Sequence, residues 1–149
     1  MSLSDIFAIQ SIKLNLESAT KEDAFMELIE AIAAVHPEFN RDEMFTAVNE
    51  REHKMTTGIG SGAAVPHGYY RGTGDMAGAI GISQTGIDYD APDHKPVHLV
   101  FLLLMSQSAQ EDHLHILNRI FRLLTSEAGS LIRAAKTTWE VQDILSRFH

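Results

Sequence analysis

Val97-His98-Leu99-Val100-Phe101-Leu102-Leu103-Leu104-Met105 holds the longest apolar run of the chain, from Leu99 to Met105. The run falls well short of the roughly 18 consecutive apolar residues that span a bilayer. It suits a buried strand instead. Ala77 to Ser83 reads the same way, and Ile12-Lys13-Leu14-Asn15-Leu16 alternates apolar and polar as a half-buried strand does. Between Ser83 and Val97, Gly86 to Pro96 is a turn-rich connection.

Helical patterns surround these strands. Thr20 with Asp23 resembles a capping box, and the helix it opens carries Ala24, Phe25, Leu28, Ile29 and Ile32 on one face before Pro37 marks its end. Asn40 with Glu43 signals a second start, followed by a stripe of Met44, Phe45 and Val48. A long amphipathic helix is predicted over 111–126, with Leu117, Ile120, Phe121 and Leu124 inward. A final helix from about Thr138 presents Val141, Ile144, Leu145 and Phe148. Strands interleaved with helices predict an α/β layered domain. No repeat, low-complexity tract or linker divides the chain, so residues 1–149 read as one domain.

The 149 residues suffice for one hydrophobic core. The net charge of -8 argues against direct nucleic-acid binding, which needs a basic face. An acidic protein can still dock on basic protein partners. The start of the chain lacks the basic and apolar segments of a signal peptide, and there is no cysteine for a disulfide or thiolate site. A cytoplasmic location without membrane insertion is the expectation.

Three groups could carry chemistry. His67 sits between Pro66 and Gly68, in a stretch with further glycines at 58, 60 and 62. Pro and Gly hold the histidine in a defined, exposed position, and glycine N–H groups can approach an anion closely. The alternative is a surface histidine in a tight turn. The Lys-Ser/Thr end of a Walker loop is missing. His113 lies four residues before Leu117 and faces inward, whereas His115 lies about 200° round the helix and faces out with Arg119 and Arg122. A hydrogen-bonded core histidine is the other reading of His113. Arg51 follows Val48 by three residues on the inward stripe, where it needs an anionic partner, either a carboxylate or a phosphate. His94 and His98 have the spacing of a helical metal pair, but Pro96 between them breaks it. No metal site is expected.

The stretch Asn49 to Gly68, ending Gly-Ile-Gly-Ser-Gly-Ala-Ala-Val-Pro-His-Gly, resembles the active-site signature of the fructose/mannitol/nitrogen-regulatory type of enzyme IIA, a component of the bacterial phosphoenolpyruvate-dependent phosphotransferase system. Gly86 to Met105 resembles the family's turn and strand, and Asp112-His113-Leu114-His115-Ile116-Leu117 its second histidine motif. The similarity extends over nearly the whole chain. Ala63-Ala64 replaces a bulkier pattern and Val65 stands where Ile is common, without touching the chemistry.

The resemblance implies a sandwich in which a mixed β-sheet is flanked by α-helices. It implies a phosphoacceptor at His67, phosphorylated on Nε2, with His113 and Arg51 in support, and no metal or diffusible cofactor. An HPr-like phosphocarrier would supply the phosphoryl group. The motifs around His113 and Gly86 to Ala91 look more like the nitrogen-type members, which are regulators. The alternative is a sugar-transport component that passes the group to the IIB domain of a fructose/mannitol-type permease. A binding module that keeps the fold without the transfer is a third reading.

Overall fold

The computed structural model describes residues 2–71, 76–106 and 110–148. Among these, the helices are α1 (Leu3–Ile6), α2 (Lys21–Val35), α3 (Arg41–Lys54), α4 (Gln110–Thr125), α5 (Glu127–Arg133) and α6 (Thr138–Arg147). The strands are β1 (Ile12–Lys13), β2 (Gly58–Gly60), β3 (Ala63–Ala64), β4 (His67–Tyr69), β5 (Ala77–Ile87) and β6 (Val97–Met105). They form one mixed sheet in the order β1-β5-β6-β3-β2, with β4 also on β6. β5 and β6 are antiparallel, whereas β1 runs parallel to β5 and both β3 and β4 run parallel to β6.

The apolar run predicted as a buried strand is the middle of this sheet. Alternate β6 residues enter opposite cores because successive side chains point to opposite faces. Leu99, Phe101, Leu103 and Met105 pack with Ile116, Ile120 and Leu123 of α4 and with Val141 and Leu145 of α6. Val100, Leu102 and Leu104 pack with Phe25, Leu28 and Ile29 of α2 and with Met44 and Val48 of α3. This single domain has the mixed sheet flanked by helices that the family resemblance implied.

The helix starts follow their caps. Thr20 Oγ1 accepts from Asp23 N–H at 3.3 Å, and Asn40 Oδ1 accepts from Glu43 N–H at 3.0 Å. Three expectations need correction. The first strand is only Ile12–Lys13, and β5 continues through Gly86 to Ile87. On α4 the buried stripe is His113, Ile116, Ile120, Leu123 and Leu124, whereas Phe121 is exposed. Phe121 lies about 100° round from Ile120, which carries it past the edge of the stripe.

β3 and β4 lie in one line along β6, with the same register offset on both sides of Pro66. Pro66 has no N–H for the ladder, but its carbonyl still accepts from Leu103 N–H at 2.9 Å. The register pairs His67 with Leu103, Gly68 with Leu104 and Tyr69 with Met105. His67 and Tyr69 therefore share the sheet face covered by α4, and Gly68 faces α3.

That face has no room for a side chain at 68. A Cβ on Gly68 would sit 2.7 Å from Ala47 C and 2.8 Å from Ala47 O. Gly68 thus sets the distance between α3 and the strand bearing His67. Gly68→Ala is expected to push α3 away and cost about 1–3 kcal/mol, as overpacking does. Urea unfolding measures this, and an unchanged midpoint would show that the contact is not tight.

Candidate functional site

An open cleft of about 620 Å³ lies between α3 and the β4 edge. Arg51, Lys54, Thr46 and Glu50 line it from α3, and His67, Gly68 and Tyr69 from β4. Arg51 and Lys54 stand in the last turn of α3, while Asp42 and Glu43 stand in its first turn. Each sign of charge thus sits at the helix end whose dipole favours it.

His67 is half-buried, and its Nδ1 lies 2.8 Å from the Val65 carbonyl oxygen. A carbonyl only accepts, so Nδ1 carries the proton and donates it. The lone pair of the neutral ring is then on Nε2. Burial holds the imidazolium below its ordinary value near 6.5, and the Arg51 charge acts the same way. The Val65 carbonyl and the Glu52 carboxylate oppose this. The net result favours the neutral ring, in one tautomer.

Arg51 is half-buried rather than fully inward. Its Nη1 donates to the Met55 carbonyl at 2.9 Å, and no carboxylate lies within salt-bridge distance among the described residues. The place on the inward stripe belongs to Glu52, which is 5% exposed. Glu52 lies four and eight residues after Val48 and Met44, so helical spacing could have found it. Its carboxylate accepts from Thr57 N–H at 2.9 Å, from Thr57 Oγ1, from Tyr89 O–H at 3.2 Å and from Lys21 Nζ at 3.1 Å. Burial, and then the Glu52 charge, push the Tyr89 phenol far up, so it stays a donor. This network pins the end of α3, and hence Arg51, to the segment leading into β2.

His113 is 2% exposed on α4, inward as expected. It is not hydrogen-bonded as a core histidine would be, since neither ring nitrogen has a partner among the described residues. Burial holds it below its ordinary value, with Asp112 pulling the other way. Its ring packs on that of Tyr69 at 5.3 Å between centroids. His115 faces outward beside Arg119 and Arg122.

The glycines behave differently from the expectation. Gly60 and Gly62, with φ of 84° and 79°, shape the turn of the β2–β3 hairpin, and the Ser61 N–H between them goes to Asp93. Of the four glycines, Gly68 lines the cleft, and its part there is steric. His98 Nδ1 donates to the Ser83 carbonyl, while His94 is exposed in a turn, so the two do not form a pair. Sequence spacing also missed Tyr69, although its position two residues after His67 on a strand places both on one face.

The family described as "Phosphoenolpyruvate-dependent sugar phosphotransferase system, EIIA 2" matches residues 5–148. The chain is 34% identical over 145 residues to the fructose-specific EIIA component of Haloferax volcanii, covering 97% of this chain and 94% of that protein. It is 32% identical over 147 residues to a nitrogen regulatory protein of Bradyrhizobium diazoefficiens, covering 98% and 95%. It spans only 20% of the fructose-specific EIIABC component of Bacillus subtilis, matched at 34% identity over 127 residues. Among solved structures, nitrogen regulatory protein IIA-Ntr of Neisseria meningitidis superposes with a TM-score of 0.89 at 28% identity, covering 96% of this chain and 98% of that one. No helix among the described residues is long and apolar enough to cross a membrane. With its fold and these likenesses in agreement, the chain belongs to the EIIA 2 family of the phosphoenolpyruvate-dependent phosphotransferase system.

Proposed function

We propose that residues 1–149 act as one phosphocarrier domain that takes a phosphoryl group onto His67 Nε2 from an HPr-like carrier. The observation that carries this reading is the Nδ1–H bond to Val65, which leaves Nε2 with its lone pair in a cleft holding Arg51. His67 Nε2 attacks the phosphorus of the donor phosphohistidine in line. The new N–P bond forms as the donor's N–P bond breaks, and that electron pair stays on the donor imidazole. Such transfers depend on alignment and on stabilising charge on the phosphoryl oxygens. Arg51 supplies charge and two-pronged donors, and His113 stands on the same face of the sheet to support the bound group. Gly60 and Gly62 have no part in it.

The likeness to IIA-Ntr of Neisseria meningitidis supports a regulatory role, in which the phosphorylation state of His67 is the signal. The fructose-specific relative at 34% identity favours a second reading, transfer onward to the IIB domain of a fructose/mannitol-type permease. Phosphorylated protein offered to isolated IIB domains separates them. Fast transfer supports transport, and retention of the group supports regulation.

Two outcomes test the site. His67→Ala is expected to abolish uptake of phosphate from a histidine-phosphorylated carrier, and Arg51→Ala to slow it by about 10- to 100-fold. Undiminished labelling of His67→Ala would refute the acceptor. The second outcome concerns pH. Only the neutral ring is nucleophilic, and its protonation midpoint lies below 6.5. Initial uptake rates should therefore be level above that value and fall only on its acid side, and a midpoint above 6.5 would contradict the site's electrostatics.

A further inference from the structure

His113 is packed away from solvent at 2% exposure, yet no hydrogen bond among the described residues fixes its ring. A histidine with two unpartnered nitrogens in a core is costly, and such groups call for an explanation. The ring contact recorded for it is with Tyr69, at 5.3 Å and an interplanar angle of 49°. Tyr69 is itself 46% exposed and lines the cleft, whereas His113 does not line it. Tyr69 therefore links the wall of the cleft to His113, touching both.

The strand explains why. Residues two apart on β4 share a face, so His67 and Tyr69 project together towards α4, and the register opposite Leu103 and Met105 fixes that orientation. A one-residue slip would exchange Tyr69 with a position that must be glycine, because the face towards α3 has no room. The pairing of His67 with Tyr69 is thus as strongly specified as His67 itself.

We propose that Tyr69 is a positioning residue for phosphoryl transfer, its ring holding His113 dry and in place beside the face from which His67 reacts. This rests on the reading of His67 as phosphoacceptor. The aromatic ring supplies the contact, since no hydrogen bond from the phenol to His113 is present. A dry, unpartnered His113 is a neutral group with unused hydrogen-bonding capacity, suited to a phosphoryl oxygen rather than to a structural bond. The acidic neighbour that acts on its charge is Asp112, on its own helix. The other ionisable ring on the shared strand face is His67.

The test compares Tyr69→Ala with Tyr69→Phe in the full chain, with Tyr69→Leu as a second shortened variant should the alanine protein fail to fold. Proton NMR titration of the His113 ring and the kinetics of uptake from a histidine-phosphorylated carrier are measured on each. Loss of the ring should move the His113 midpoint up towards 6.5 and slow transfer at saturating carrier by about tenfold, with KM changed by less than about twofold. Tyr69→Phe should restore both. An unmoved His113 titration in Tyr69→Ala overturns the proposal. So does a change confined to KM, which would make Tyr69 a docking contact, or a Tyr69→Phe protein as slow as Tyr69→Ala. If the unaltered protein takes up no phosphate, the phosphocarrier reading fails instead, and the titration still reports whether Tyr69 shields His113.

Discussion

The hydrogen bond from His67 Nδ1–H to the Val65 carbonyl, 2.8 Å long, is the constraint on which the proposed phosphocarrier role depends. It joins residues two apart across Pro66, where the strand ladder along β6 is interrupted. Proline removes a ladder donor at that point, and the adjacent Val65 carbonyl is turned to the imidazole. The bond selects a tautomer, orients the ring and leaves Nε2 free. A histidine whose two nitrogens were both open to water would have none of these properties.

The rest of the fold holds that dipeptide in register. β6 is buried on both faces, so a slip of β4 by one residue would reverse the faces of His67, Gly68 and Tyr69. Gly68 lets α3 approach the strand to backbone contact, bringing Arg51 and Lys54 to the same cleft as His67. Glu52 then fixes the end of α3 through Thr57, Tyr89 and Lys21. A buried carboxylate is expensive unless each oxygen is satisfied, and here four donors converge on it. Removing Lys21 would leave the Glu52 charge uncompensated at the base of the helix that carries Arg51.

Much of this was legible in the sequence for definable reasons. The β6 run, the Thr20 and Asn40 caps and the inward His113 follow from local pattern, and the structure agrees. Phe121 was misplaced because apolar character alone does not say where a stripe ends. Composition cannot distinguish a hairpin turn from a phosphate loop at Gly60 and Gly62, whereas the pairing of β2 with β3 and the Ser61 N–H bond to Asp93 can. Arg51 and Glu52 were harder. They are adjacent, and the helix turns about 100° between them: the i+4 and i+8 spacing from Val48 and Met44 favours Glu52, but the apolar pattern gives no reason to place a carboxylate there. The role proposed for Tyr69 is not legible in the sequence because it comes from β4 pairing with β6, a long-range contact that three strand residues do not announce.

The proposed role of His67 depends most directly on its tautomer. Long-range nitrogen–proton NMR correlation of the imidazoles at neutral pH measures it. The prediction is a His67 ring protonated on Nδ1 with an unprotonated, pyridine-like Nε2. A ring protonated on Nε2, or one exchanging freely between the two forms, would contradict the claim that the Val65 carbonyl prepares His67 for phosphoryl transfer.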